Sequence, residues 1–136
     1  MLSLEEAYER ITDQEKERSL VVTDSTRDDN PIVYVNDAFL RLTGYAAEEV
    51  QGRNCRFLQG SDSDPKTVKA IHEALDEVRE ITVDILNYRK DGSAFWNRLR
   101  MRPTYSQTGE HDGFVGLQNP ISSSEVRAKP IYRFQE

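Results

Sequence analysis

The sequence predicts an α+β fold: a five-stranded antiparallel sheet with helices on one face. Three observations carry that expectation. Strand and helix signals run in the order two strands, a cluster of helices, then three strands. Asp91-Gly92 separates two long strand-like stretches, as a hairpin turn requires. Asp64-Pro65 pairs a capping side chain with a proline at the first helical position. The chain has 136 residues, 37% hydrophobic and 31% charged, which suits one domain with a modest core.

The elements follow in order. Residues 1–18 read as an amphipathic cap helix. Ser3 caps it with Glu6 three residues later, and Leu4, Tyr8 and Ile11 fall on one helical stripe. That stripe has two uses, packing on the outer sheet face or forming a homodimer. Residues 20–23 and 31–35 are strands around the turn-like Asp28-Asp29-Asn30-Pro31. Residues 36–50 are short helical pieces broken at Gly44. After Asp64, the stripe Val68, Ile71, Leu75 and Val78 marks a longer helix. Strands are expected over 80–89, 93–103 and 113–119. Pro120 and Pro130 exclude a long helix beyond. The organisation is therefore a cap helix (1–18), a core (19–119) and a short extension (120–136). In the extension, Ile121, Ile131, Tyr132 and Phe134 are available for packing.

Composition excludes several function classes. Eighteen basic against 24 acidic residues give a net charge of −6, without the basic footprint of a nucleic-acid binder. No apolar run approaches the ~20 residues of a membrane span, and the start lacks a signal peptide's pattern. A cytoplasmic protein is expected. The single cysteine, Cys55, excludes an internal disulfide and a multi-thiolate metal site. The two histidines, His72 and His111, do not make a metal centre, so no metal is expected. A lone cysteine reads first as a small buried hydrophobe. Arg53 and Arg56 flank Cys55, and nearby cations lower thiol pKa values. No base is patterned beside it and neither histidine is marked as a haem ligand, so no enzyme is expected.

The informative feature is the placement of amides on the strands. Strand side chains alternate faces. One face of 81–87 reads Ile81, Val83, Ile85, Asn87. One face of 95–101 reads Phe95, Asn97, Leu99, Met101, opposite Trp96, Arg98, Arg100, Arg102. The apolar sets face the core, so Asn87 and Asn97 point inward. Gln118 shares a face with Phe114 and Gly116, although Val115 and Leu117 opposite are apolar too. Buried amides without partners cost about 1–3 kcal/mol each. Two readings satisfy them. They bond one another, backbone or trapped water, or they bind a flat ligand whose edge alternates donors and acceptors, as a flavin's pyrimidine edge does.

Gly52-Arg53-Asn54-Cys55-Arg56-Phe57-Leu58-Gln59 resembles the signature of LOV (light-oxygen-voltage) domains, the flavin-binding blue-light sensors of the PAS superfamily. Val22-Thr-Asp24, Asn30-Pro-Ile32, Ala38-Phe-Leu40, Leu42-Thr-Gly-Tyr45, Asn87-Tyr-Arg-Lys-Asp-Gly92 and Phe95-Trp-Asn97 resemble further LOV segments at family spacing. The likeness covers roughly residues 19–118. It implies a PAS/LOV fold enclosing a flavin, and a blue-light photoreceptor. Cys55 would form a reversible covalent adduct at flavin C4a after blue light. Asn87 and Asn97 match the amides on the pyrimidine edge. Gln118 matches the glutamine beside N5 and O4, whose rearrangement passes the signal to the sheet and flanks. Asn54 and Gln59 match residues near the ribityl chain, and Arg56 an arginine that pairs with phosphate. Thr23 and Phe114 complete the implied cofactor wall.

Two departures shape the expectation. The position of a second phosphate-pairing arginine is His72 by spacing, with Lys69 one turn earlier as a substitute; His72 as a plain surface residue is the other reading. Members that take FAD often carry an insertion after the signature that is not apparent here, so FMN ranks first, riboflavin second and FAD third. Only 18 residues follow Gln118, which resembles the bacterial short LOV proteins without an effector. Output is then expected through a homodimer or a partner protein. The alternative is a light-insensitive PAS-type interaction module. The joint presence of Cys55, Asn87, Asn97 and Gln118 argues against it.

Overall fold

The structure, a computed structural model, describes residues 2–127. The expected packing residues Ile131, Tyr132 and Phe134 lie outside the described residues. In chain order the elements are α1 (Leu4–Glu9), β1 (Ser19–Asp24), β2 (Ile32–Val35), α2 (Asp37–Thr43), α3 (Ala47–Val50), α4 (Pro65–Asp76), β3 (Ile81–Tyr88), β4 (Ala94–Tyr105), β5 (His111–Gln118) and β6 (Pro120–Ile121). Short 3-10 turns occupy Glu15–Glu17, Cys55–Leu58 and Ser123–Glu125.

The antiparallel sheet runs β2-β1-β5-β4-β3. The five antiparallel strands are those expected, with one addition. β6 pairs with β4 through Trp96–Ile121 and Asn97–Pro120, continuing the register in which β5 pairs Arg100 with Leu117. Two residues led by a proline carry no strand signal of their own. They become a strand only because β4 is long enough to offer an edge beyond Gln118.

Local chemistry sets the helix ends. Ser3 and Glu6 form the expected capping box on α1. Asn36 caps α2, which stops at Gly44 in the left-handed region, φ 81°. Asp64 caps α4 and Pro65 opens it. Val78 does not continue that helix. It takes φ 54° after α4 has ended at Asp76, so the apolar stripe stops at Leu75. Gly92, at φ 88°, turns the β3–β4 hairpin.

The core has three parts. Val21, Ile32, Phe39, Val50 and Leu58 pack α2 and α3 against one half of the inner sheet face. Ile71 and Ala74 of α4 pack on Ile81, Val83, Ile85, Met101 and Phe114 of the other half. Each fully buried Leu, Ile or Phe side chain contributes about 1.5–3 kcal/mol. The third part lies on the outer face, where Leu2, Ala7 and Ile11 cover Leu20, Val22, Val115 and Leu117. This explains why both faces of β5 are apolar. It also corrects the predicted stripe on α1. Ile11 is buried, but Leu4 and Tyr8 are 62% and 46% exposed, and Leu2 and Ala7 replace them. Six residues make under two turns, so the chain on either side of the helix supplies half of the contact.

Candidate functional site

Between the two inner core clusters lies a cavity of about 450 Å³. Its size falls in the range of small-molecule sites. Its wall includes Asn54, Cys55, Arg56 and Gln59 from the segment between α3 and α4, His72 from α4, and Asn87, Asn97, Phe114 and Gln118 from the sheet. Nine of the eleven residues expected at the site therefore converge on one cavity.

The strand amides define its chemistry. Asn97 Oδ1 accepts from the backbone N–H of Asn119 at 2.9 Å, and its Nδ2 donates to Asn87 Oδ1 at 2.9 Å. Asn87 Nδ2 makes only a long contact to Leu86 O, 3.4 Å. What remains toward the cavity is an N–H of Asn87, a lone pair on Asn87 Oδ1 and an N–H of Asn97. The edge reads donor, acceptor, donor. It complements a planar imide, which presents acceptor, donor, acceptor. Both residues are buried, so the order is held by the protein rather than by solvent. The amides thus do bond each other and backbone, yet keep three unused functions.

Gln118 is held from the start of β1. Ser19 Oγ donates to Gln118 Oε1 at 2.7 Å, and Gln118 Nε2 is 3.4 Å from Gly116 O. Its amide N–H is therefore the group turned to the cavity. Gly116 lies on the same wall. An added Cβ there would sit 3.3 Å from Val21 Cγ2 and 3.9 Å from Gln118 Nε2, narrowing the space a ring would use.

Cys55 begins the 3-10 turn at Cys55–Leu58, capped by Asn54, whose Oδ1 accepts from Arg56 N at 3.0 Å. Burial pushes its thiol up to about 12, so the group keeps its proton at neutral pH. The flanking arginines do not lower it. Arg53 stacks over Phe57 at 4.4 Å, and Arg56 pairs with Asp29. Each guanidinium has its own partner.

Two expected residues lie outside the wall. Lys69 is exposed, because the cavity takes Ile71, His72, Leu75 and Asp76 of α4, and Lys69 falls at the edge of that face one turn earlier. Thr23 is fully buried on the inner side of β1, paired with Phe114, with its hydroxyl unpartnered among the described residues; it is not a cavity residue. His72 is exposed but does line the mouth. His111 also lines the cavity, although strict alternation would place it outward with Val115. The β4–β5 register shifts between Thr104 and Tyr105, so that Tyr105 pairs with His111 and Asp112 is passed over. Such a bulge reverses the faces beyond it. No alternation pattern could have found His111. Asp29, also in the wall, carried only a turn signal, and Asn30 beside it a turn signal and a place in one of the LOV-like segments, with no site role for either.

No helix among the described residues is long and apolar enough to cross a membrane. Among them, no group of three or more His, Cys, Asp or Glu side chains could hold a metal ion.

Residues 9–123 match the family described as PAS domain. The chain is 49% identical over 111 residues to blue-light-activated histidine kinase 1 of Erythrobacter litoralis, a match covering 82% of this chain and 31% of that protein. It is 49% identical over 102 residues to phototropin-2 of Oryza sativa, covering 75% of this chain and 11% of the relative. The chain thus spans a third or less of the length of these curated relatives. Among solved structures, the dark form of the Aureochrome1 LOV blue-light photoreceptor superposes with a TM-score of 0.78 at 39% identity, over 91% of this chain and 86% of that one. The LOV domain of a blue-light-activated histidine kinase from Erythrobacter litoralis gives 0.74 at 43%, over 78% and 97%.

Proposed function

The chain belongs to the PAS domain family, in its LOV branch, and from that premise we propose that it is a blue-light receptor that holds a flavin in the cavity between α4 and the sheet. The observation that carries the proposal is the donor–acceptor–donor edge of Asn87 and Asn97, with Cys55 in the same cavity. The flavin is FMN in this reading, with riboflavin second and FAD third. Asn87 and Asn97 would hold its pyrimidine edge, and Asn54, Gln59, Arg56 and His72, in the same wall, would hold the chain that the ring carries.

A bound flavin supplies a ring that, excited by blue light, is oxidising at C4a and basic at N5 and takes up a thiol reversibly. Cys55 brings sulfur and proton together, since its thiol is neutral. No base is needed beside it. Gln118 offers an N–H while Ser19 holds its oxygen. A change of demand at that point is met by turning the amide. The Ser19 hydroxyl, able to donate or accept, satisfies either orientation. Ser19 opens β1 and Gln118 closes β5, so the turn is felt where both flanking segments join the sheet.

Signal leaves the domain through a homodimer or a partner protein in this proposal, for which the exposed Leu4 and Tyr8 offer contact. No catalytic turnover, nucleic acid, membrane or metal is part of it, and the compartment is the cytoplasm. The test is optical. Purified protein is expected to be yellow and to lose its structured blue absorption reversibly under blue light. Cys55→Ala is expected to bind flavin and fluoresce without bleaching. A colourless protein that takes up no added FMN would overturn the proposal. Size-exclusion chromatography in dark and light tests the dimer.

A further inference from the structure

Among the described residues Arg56 is the only arginine or lysine in the cavity wall, and its charge is already engaged. Asp29 Oδ1 accepts from one terminal nitrogen of its guanidinium at 2.9 Å, and Oδ2 from the other at 2.5 Å. The pairing is built in rather than a chance contact of long side chains. Asn54 donates from Nδ2 to the Asp29 carbonyl at 2.8 Å and accepts from the Arg56 backbone N–H at 3.0 Å, so one amide fixes both partners. Asp29 takes φ 68° and Asn30 φ 48°, a left-handed pair that turns the loop toward the cavity. Asp76 adds a second carboxylate to the wall, and His72 stands nearby. A terminal phosphate at this mouth meets one neutralised cation and another acid.

Resting on the flavin reading above, we propose that Asp29 is the specificity-determining residue of the cavity mouth: by occupying Arg56 it makes the domain take flavins with and without a terminal phosphate almost alike. Asp29 is no ligand of the ring. It acts by holding the fork that a phosphate would otherwise use in bidentate fashion. Because both side chains are more than half exposed, solvent and salt screen the pair, and its effect on affinity is correspondingly moderate.

The experiment is a fluorescence titration of flavin-free protein with FMN and with riboflavin, for the natural chain, Asp29→Asn, Arg56→Gln and the double variant. Asparagine suits the left-handed backbone at least as well as aspartate, so the loop is kept. The natural chain is expected to bind the two flavins within about threefold, and Arg56→Gln to change that ratio by less than about threefold. Asp29→Asn is expected to tighten FMN about tenfold while leaving riboflavin within about twofold. The gain should shrink as salt is raised and vanish in the double variant. An unchanged FMN-to-riboflavin ratio in Asp29→Asn overturns the inference and leaves the flavin reading standing. A natural chain that prefers FMN by more than about threefold does the same. Failure of the natural chain to bind either flavin overturns the flavin reading, and this inference with it.

Discussion

Asn97 and Arg98 are neighbours on β4 and meet opposite demands. Asn97 faces inward, fully buried and uncharged, bonded to Asn119 and Asn87 with one N–H left over. Arg98 faces outward and is committed to a carboxylate. It forms a two-pronged pair with Asp84 at 2.8 and 2.9 Å and donates to the Glu125 carbonyl. The pattern holds along the strand. Arg100 pairs with Glu80, and Arg102 with Glu15 and the Arg10 carbonyl. The outer face ties both flanking segments down through its ion pairs: Glu15 of one segment pairs with Arg102, and in the other the Glu125 carbonyl and the Arg127 backbone N–H bond to the Arg98–Asp84 pair. The inner face keeps polar functions in reserve. On β4 the inward amide keeps a donor in reserve beside the cavity, and the outward guanidinium is spent on a carboxylate and a carbonyl.

That contrast can be broken. The largest effect is expected from Arg98→Met, which leaves the nearly inaccessible Asp84 carboxylate without its partner. A loss of about 3 kcal/mol in urea unfolding is expected, with flavin affinity unchanged. A stable variant that has lost its flavin would show that the two faces are not separable. Asn97→Leu reverses the outcome. The Asn119 N–H and Asn87 Oδ1 lose their partner at about 2 kcal/mol, and flavin retention collapses.

Acid probes the outer face through Asp84 and Glu15. Burial pushes the Asp84 and Glu15 carboxyls up, but their hydrogen bonds, led by Arg98 and Arg102, outweigh it and hold both below their ordinary values of 3.8 and 4.5. Groups with lowered pKa contribute stability that is present above those ordinary values and lost as pH falls through the folded ones. Unfolding followed from neutrality downward should therefore show stability falling from about pH 4.5, less steeply in Arg98→Met. Equal slopes would remove Asp84 from the account. Ser19→Ala is expected to cost about 1 kcal/mol and to shift the flavin absorption band, since Gln118 loses its orienting donor. An unchanged band would mean that Ser19 does not orient Gln118. Leu4→Ser should be the mildest, within about 0.5 kcal/mol, as the side chain is mostly exposed. A larger loss would place Leu4 in an interface.

The site was legible where periodicity was strict. Asn87 and Asn97 could be set on the inner face because arginines marked the other side of β4; Gln118 could not be set so firmly, because both faces of β5 are apolar. Cys55, Asn54, Arg56 and Gln59 were legible only through a resemblance, since a loop has no period. Lys69 and Thr23 fall outside the cavity wall, because proximity along a helix or strand does not decide whether a side chain reaches a cavity. His111 was hidden by the bulge at Asp112.

The sequence by itself determined the strands, the caps at Ser3 and Asp64, the hairpin at Gly92 and the inward face of Asn87 and Asn97. These depend on side-chain alternation, capping chemistry and backbone preferences, all of which act over a few residues. Tertiary structure decided which face of α1 is buried, that Pro120–Ile121 becomes a strand, that Asn97 spends its oxygen on Asn119, and that Asp29 claims Arg56. Each of those joins groups separated by many residues, whose meeting depends on how the strands and the loop at Asp29–Asn30 are placed, and no local rule encodes that distance.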